Sequence, residues 1–257
     1  MARIIAIVNQ KGGVGKTTTA VNLGAYLAWL GRFVLIVDLD PQANASSGLG
    51  LDVSKLVRGT YNSLVEPVSF RDIITNTSHE GYKIAPSTPD LAGARVELVN
   101  LENREFKLRD ALLEVKNDYD YILIDCPPSL DLLTVNGLVA ADEIMIPVQA
   151  EYMALEGLGQ LLNTVSLVKD NLKPDLNVLG ALVTMYDNRN KLSRQVLKEL
   201  QEHFPHRVFK TIIPRNIRIT EAPSYGQSIL AFYSKSLGAK SYENLARELV
   251  DQENYIY

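Results

Sequence analysis

Near its N-terminus the chain reads Lys11-Gly12-Gly13-Val14-Gly15-Lys16-Thr17-Thr18. Glycines at this density let a backbone turn tightly enough for its N–H groups to point inward at anionic oxygens. A lysine and a threonine opening a helix suit phosphate chemistry, the ammonium meeting terminal phosphates and the hydroxyl meeting Mg2+. On this reading Gly12, Gly13, Val14 and Gly15 form a cradle. Lys16 contacts the β- and γ-phosphates of a nucleotide, Thr17 holds Mg2+, and Thr18 contacts an inner phosphate. The common pattern G-x-x-x-x-G-K-[ST] is matched only at its end, because Gln10 stands where the first glycine belongs. A second lysine, Lys11, follows it at the mouth of the cradle.

Such a site also needs a carboxylate on a neighbouring strand end to support the metal. The segment Tyr-Ile-Leu-Ile-Asp-Cys supplies one in Asp125, directly after four strand-like residues. A second acidic pair, Asp38 and Asp40, ends another apolar run. Read as alternating along a continuing strand, the two are expected to point to opposite sides, so that one of them faces the γ-phosphate. Plain turn chemistry is the alternative for an aspartate after a strand.

These groups must be positioned by the elements around them. Short β-branched runs at Arg3–Asn9, Phe33–Val37, Tyr121–Ile124, Glu143–Val148, Val178–Thr184 and Val208–Ile213 read as strands, several of them apolar on consecutive positions. Helical patterns cover Lys16–Leu30, Glu105–Lys116, Leu132–Ala140, Leu155–Asn171, Lys191–His203 and Ser241–Val250. The alternation predicts an α/β fold, a mostly parallel twisted sheet with helices on both faces, organised as one domain over residues 1–257. Residues 45–87 are polar and rich in Gly, Ser and Thr, and carry no clear assignment.

The 257 residues are 46% hydrophobic with a net charge of −4. That balance supports a large core and requires any nucleic-acid contact to come from a local patch. One cysteine, Cys126, excludes an internal disulfide and fits a reducing cytosol. No run reaches the ~18 apolar residues of a membrane span, and no signal peptide opens the chain. The expectation is a cytoplasmic protein.

Taken together, KGGVGKTTTAVNL, VLIVDLDPQANASSGLG, YILIDCPPSL, PVQAEYMALEGL and IIPRNIRITEAPSYGQSI resemble the ParA/Soj partition ATPases of chromosomes and plasmids. These belong to the deviant Walker A, or MinD-like, group of P-loop ATPases. The resemblance runs from Met1 to about Val250. The loop alone identifies the wider group; EAPSYGQS and AEYMALEGL narrow it to the partition branch.

The resemblance implies ATP and Mg2+ as cofactors and a homodimer that sandwiches two ATP molecules. Lys11 then reaches the phosphates of the partner subunit, where facing phosphate sites would otherwise repel. Gly12 and Gly13 let the two backbones approach. Asp40 orients the attacking water, Asp125 supports the metal together with Thr17, and Lys11, Lys16 and Asp40 form the catalytic set. Pro214 and Asn216 contact adenine, with Met185 nearby. No NKxD-type guanine reader is present. The same resemblance implies non-specific binding of double-stranded DNA through Arg189 and Arg218, location on the nucleoid, and a ParB-like centromere-binding partner that stimulates hydrolysis. Lys191, Arg194 and Lys198 repeat at helical spacing and extend the possible basic face. The chain starts at its first strand, so the helix-turn-helix extension of larger plasmid ParA proteins is not expected.

Three rivals share the scaffold. A MinD-like membrane-positioning ATPase needs a basic amphipathic C-terminal helix. Here the last helix gathers Tyr242, Leu245, Leu249 and Val250 on one side of a mixed or acidic helix, which reads as core packing and no membrane contact. A nitrogenase-type iron protein needs two cysteines per subunit for a bridging cluster, and this chain has one. A small-molecule-activating enzyme needs an acceptor pocket, for which only residues 45–87 leave room.

Overall fold

The computed structural model describes residues 2–151 and 154–253. Seven strands form one sheet: β1 (Arg3–Ile7), β2 (Val34–Asp38), β3 (Thr75–Asn76), β4 (Tyr82–Ala85), β5 (Tyr121–Asp125), β6 (Glu143–Gln149) and β7 (Asn177–Thr184). Their order is β3-β4-β2-β5-β1-β6-β7, and every pairing is parallel except β3 with β4. This is the α/β architecture that the alternating pattern implies.

The first half of the chain contributes helices α1 (Lys16–Trp29), α2 (Asn44–Gly48), α3 (Thr60–Val65), α4 (Phe70–Ile73), α5 (Leu91–Glu97), α6 (Lys107–Leu112) and α7 (Leu132–Ala140). The second half adds α8 (Ala154–Asn171), α9 (Lys191–His203), α10 (Ile217–Glu221), α11 (Ile229–Tyr233) and α12 (Leu237–Glu253). Strands β2 and β5 are buried at every position, as a sheet covered on both faces demands. Alternate strand residues therefore feed two cores. Ala6, Leu35, Val37, Ile122 and Ile124 pack on one face with Leu133, Leu138, Leu161 and Val165. Ile5, Ile7, Val34, Ile36 and Leu123 pack on the other with Leu23, Leu27, Tyr242, Leu245 and Leu249. The apolar stripe of α12 is thus used up against α1 and the sheet.

Three expectations need correction. Residues 45–87 are structured: they supply α2 to α4 and the strands β3 and β4, with β4 in parallel register on β2. Four-residue β4 was too short, and Lys83 within it too polar, to read as a buried strand. Second, Val208–Ile213 is not a strand. It runs beside β7 through the isolated bridges Ala181–Val208 and Tyr186–Pro214, because it bonds Ala181 through Arg207 and Phe209, then bows out before Ile213 N–H reaches the Val183 carbonyl. Third, the helix expected over Glu105–Lys116 is a short 3-10 turn, Arg104–Phe106, followed by α6 alone. Within the PVQAEYMALEGL segment, Tyr152 and Met153 lie outside the described residues.

α1 packs unusually close to β4. A Cβ on Gly24 would stand 2.5 Å from the ring and hydroxyl of Tyr82, whose O–H donates to the Val21 carbonyl at 3.2 Å. Gly24→Ala therefore overpacks a buried aromatic and breaks that bond. A loss of about 1–3 kcal/mol is expected, read as a lower urea midpoint with an unchanged slope.

Candidate nucleotide site

Every parallel strand delivers its carboxyl end to the same edge of the sheet, and β1 sits there between β5 and β6, where the winding direction reverses. Such a switch point opens a crevice above the strand ends. The loop leaving β1 enters α1 through Gly15, held left-handed at φ 90°, with no side chain capping the helix. The first N–H groups of α1 are therefore free to meet an anion, and no acidic side chain stands in its first turn.

The cleft in front of this terminus measures about 610 Å³ and is lined by Gly12, Gly13, Gly15, Lys16, Thr17, Thr18, Asp40 and Met185. A second cavity of about 320 Å³ adjoins it, sharing Gly15, Thr18, Met185 and Pro223 and adding Pro214 and Asn216. The phosphate-loop residues and the expected base contacts thus line two cavities with a shared wall. Val14 does not line the cleft; its side chain is buried. Met185 sits at the junction with φ 52°, a left-handed conformation that an unbranched non-glycine residue adopts at some cost.

Lys16 is buried, and its Nζ donates to the Lys11 carbonyl at 3.2 Å. Burial lowers its pKa, while Asp125 and, more weakly, Asp40 pull it back up. Asp125 ends β5 in register with Ile7 on one side and Asp38 on the other. Its carboxylate is fully buried, and neither oxygen has a hydrogen-bond partner among the described residues. Thr17 lies near enough to lower the Asp125 pKa without reaching hydrogen-bond geometry. Burial and the neighbouring Asp38 charge prevail and hold it well above the usual carboxylate range. A buried carboxylate beside a threonine hydroxyl, with both oxygens unclaimed, is the donor set that a hard divalent cation takes. Asp125 and Thr17 fit Mg2+ on that ground.

Asp38 and Asp40 take different places, though strand alternation is not the reason, since residues two apart share a face. β2 ends at Asp38, and the chain turns. Asp38 is completely buried and accepts from Ser46 Oγ at 2.7 Å, Ser46 N at 2.9 Å and Asp40 N at 3.1 Å. Burial pushes it up to about 6 in spite of those bonds. Asp40 turns to the cleft, where its Oδ1 accepts from Gln42 N at 3.0 Å.

Lys11 stands at the rim. Its N–H is fixed by Asn9 Oδ1 at 2.9 Å, and its Nζ lies 3.7 Å from Glu151. Arg189 and Arg218 lie outside both cavities, each on an exposed side chain paired with a local carboxylate: Arg189 with Asp187 at 2.8 Å, Arg218 with Glu221 at 2.7 Å. Lys191, Arg194 and Lys198 line the exposed face of α9, whose inner face is Ser193, Val196 and Leu200.

One wall of the cleft escaped the reading of the sequence. Asn44 and Ser47 of α2 face Pro223, Ser224 and Gln227. Asn22 ties this wall to α1, accepting from Ile229 N at 2.6 Å and donating to the Thr18 carbonyl at 2.7 Å. The available signal was the run of small polar residues in both segments.

A phosphate-loop nucleotide hydrolase is the class that this fold and cleft define. A family model for an AAA domain matches residues 2–178. The sporulation initiation inhibitor protein Soj of Bacillus subtilis is 53% identical over 97% of this chain and 98% of its own length. The chromosome partitioning protein ParA of Myxococcus xanthus is 51% identical, covering 98% and 89%. The chromosome-partitioning ATPase Soj of Treponema pallidum is 49% identical, covering 98% and 99%. Among solved structures, a Mycobacterium smegmatis chain described as cobyrinic acid a,c-diamide synthase, with ADP and magnesium bound, superposes with a TM-score of 0.88 at 40% identity, covering 99% of this chain and 96% of that one. The septum site-determining protein MinD of Pyrococcus horikoshii, with Mg-ADP, follows at a TM-score of 0.77 and 28% identity, covering 97% and 96%. The chain belongs to the Soj/ParA family of chromosome-partitioning ATPases.

The paired carboxylates carry a pH signature. Both have native pKa values above their unfolded ones, so the native state holds extra protons from about pH 4 upward and loses stability as pH rises through the native values. The nucleotide-free protein should therefore be more stable to urea at pH 5 than at pH 7. Asp125→Asn should flatten that slope and raise stability at pH 7 by about 1–3 kcal/mol, while ATP hydrolysis is lost.

Proposed function

We propose that this protein is an ATP-dependent DNA-partition switch in which nucleotide binding closes a dimer, the dimer holds DNA, and hydrolysis lets go. The observation that carries the reading is the buried Asp125 carboxylate, unpartnered and facing Thr17 beneath a phosphate cradle. ATP occupies the cradle with its base toward Pro214, Asn216 and Met185. Bound Mg2+, held by Thr17 and Asp125, supplies charge neutralisation on the phosphates. Lys16 contacts the terminal phosphates. Asp40 positions the attacking water and accepts its proton.

Lys11 belongs to a second phosphate site in this reading. Among the described residues it has a long, half-exposed pairing with Glu151 to give up, and pairs of that kind contribute little. Nothing within 4 Å of a Cβ on Gly12 requires a glycine there. A second protomer approaching that backbone would.

Arg189 and Arg218 are the proposed DNA contacts, with the exposed face of α9 as an extension. Their present carboxylate partners are surface pairs that phosphate can replace. A dimer doubles the number of such contacts, and a ParB-like partner is proposed to accelerate hydrolysis. Against the MinD-like alternative, the apolar side of α12 is buried against α1 and is not free to meet a membrane. No helix among the described residues is long and apolar enough to cross a membrane.

Asp40→Ala should retain ATP binding and ATP-dependent dimerisation while hydrolysis falls about a hundredfold; a wild-type rate would remove Asp40 from its role. In binding assays on a non-specific duplex, the wild type should bind with ATP and not with ADP, and log affinity should fall linearly with log salt. Arg218→Glu should weaken binding and reduce that slope. Dimers that form with ATP but ignore DNA would leave the nucleotide site standing and sink the partition reading.

A further inference from the structure

We infer that Thr184 is a positioning residue for the phosphate loop, acting through the Val14 carbonyl and hence through the Gly15 N–H. The inference rests on the nucleotide reading of the cleft. Thr184 is the last residue of β7 and is buried. Its Oγ1 donates to the Val14 carbonyl at 2.8 Å, a bond spanning 170 residues of sequence. The described chain has no cis peptide bond. In a trans peptide the C=O and the following N–H point in opposite directions. Drawing the Val14 carbonyl toward Thr184 therefore aims the Gly15 N–H away from β7 and into the cradle. Gly15 is also the N-cap residue of α1 and offers it no side-chain cap, so one hydroxyl fixes both the last peptide of the loop and the entry to the helix.

The threonine reaches Val14 because of an irregularity in β7. Ile144 pairs with Val178, but Met145 pairs with Gly180, so one extra residue is accommodated in β7 between them. A one-residue bulge inverts the side-chain phase of everything after it. Leu179, the extra residue, and Leu182 after it both face the core shared with α1, though they are three apart. Ala181 and Val183 face the other core. Thr184 keeps phase with Leu182 and so faces the loop. Gly180 permits this: φ is 151°, and a Cβ there would stand 2.7 Å from the Arg207 carbonyl. On the backbone side, Thr184 is held by Ala150 N–H, which donates to its carbonyl at 3.1 Å.

The test compares Thr184→Val, which keeps the shape and loses the donor, with Thr184→Ser, which keeps the donor. Affinities for Mg-ADP and for adenosine are measured by calorimetry on each full chain, with the wild type alongside. The Val variant should bind Mg-ADP roughly tenfold more weakly, because the ligand must then order a loop that the Thr184 bond no longer holds. Its affinity for adenosine should stay within about twofold, since Thr184 also lines the second cavity and Val keeps its shape there while the cradle serves phosphates, and the Ser variant should match the wild type for both ligands. Wild-type Mg-ADP affinity in the Val variant, equal losses for ADP and adenosine, or a Ser variant as weak as Val would each overturn the assignment. If the Val variant does not fold, Thr184→Ala against Thr184→Ser makes the same comparison with the same outcomes. A wild type that takes no Mg-ADP would instead bring down the nucleotide site itself, and this role with it.

Discussion

Two carboxylates set the terms for the rest of the molecule. Asp38 and Asp125 end adjacent parallel strands in direct register, both completely buried, with no cation paired to either among the described residues. Burying two ionisable carboxyls side by side disfavours their charged forms and raises both pKa values. The fold answers it asymmetrically. Asp38 receives three hydrogen bonds from Ser46 and Asp40, whereas Asp125 receives none. The nearest positive charge is Lys16, itself buried on the first turn of α1. The unsatisfied group therefore lies where the uncapped helix terminus and the glycine loop also await a ligand. Stability has been given up at the place where binding can restore it, as expected of a functional site.

This arrangement explains how unevenly the sequence discloses the structure. The glycine–lysine loop and Asp125 could be read directly because their chemistry depends on local order: strand, turn, helix. Strands buried on both faces are continuous apolar runs, so β1, β2, β5, β6 and β7 were visible within a residue or two. β4 was not, since Lys83 interrupts its four residues and its burial comes from α1 closing over Tyr82. Val208–Ile213 has strand composition but bonds β7 only at its ends, and composition cannot report that. The bulge at Gly180 is equally silent, although it decides which way Thr184 faces.

The second wall of the cleft shows the same limit from the other side. Asn44 and Ser47 lie more than 170 residues from Pro223, Ser224 and Gln227, and no local spacing connects them. What brings them together is a backbone contact between two left-handed glycines. A Cβ on Gly226 would meet Gly50 Cα at 2.6 Å, and a Cβ on Gly50 would meet the Gly226 carbonyl at 3.0 Å. Side chains at either position would hold the two segments apart. The turn that each glycine makes matters less than the approach it allows.

The two sides of the cleft therefore differ in kind. The sheet side is built from strand ends locked in register and the first turn of α1, and carries the ionisable groups: Lys16, Asp40 and Asp125. The far side is built from the short helix α2 and the loop before α11, joined to each other by the glycine contact and to α1 by Asn22, and the residues it presents to the cleft carry no formal charge. Electrostatic work on a phosphate is best done by groups that do not reorganise during the reaction, which the sheet side provides. A neutral wall held by a few hydrogen bonds can shift with little electrostatic penalty. The division assigns precision to the sheet and adaptability to the wall, and it follows from which segments the parallel sheet holds and which it leaves to glycine packing.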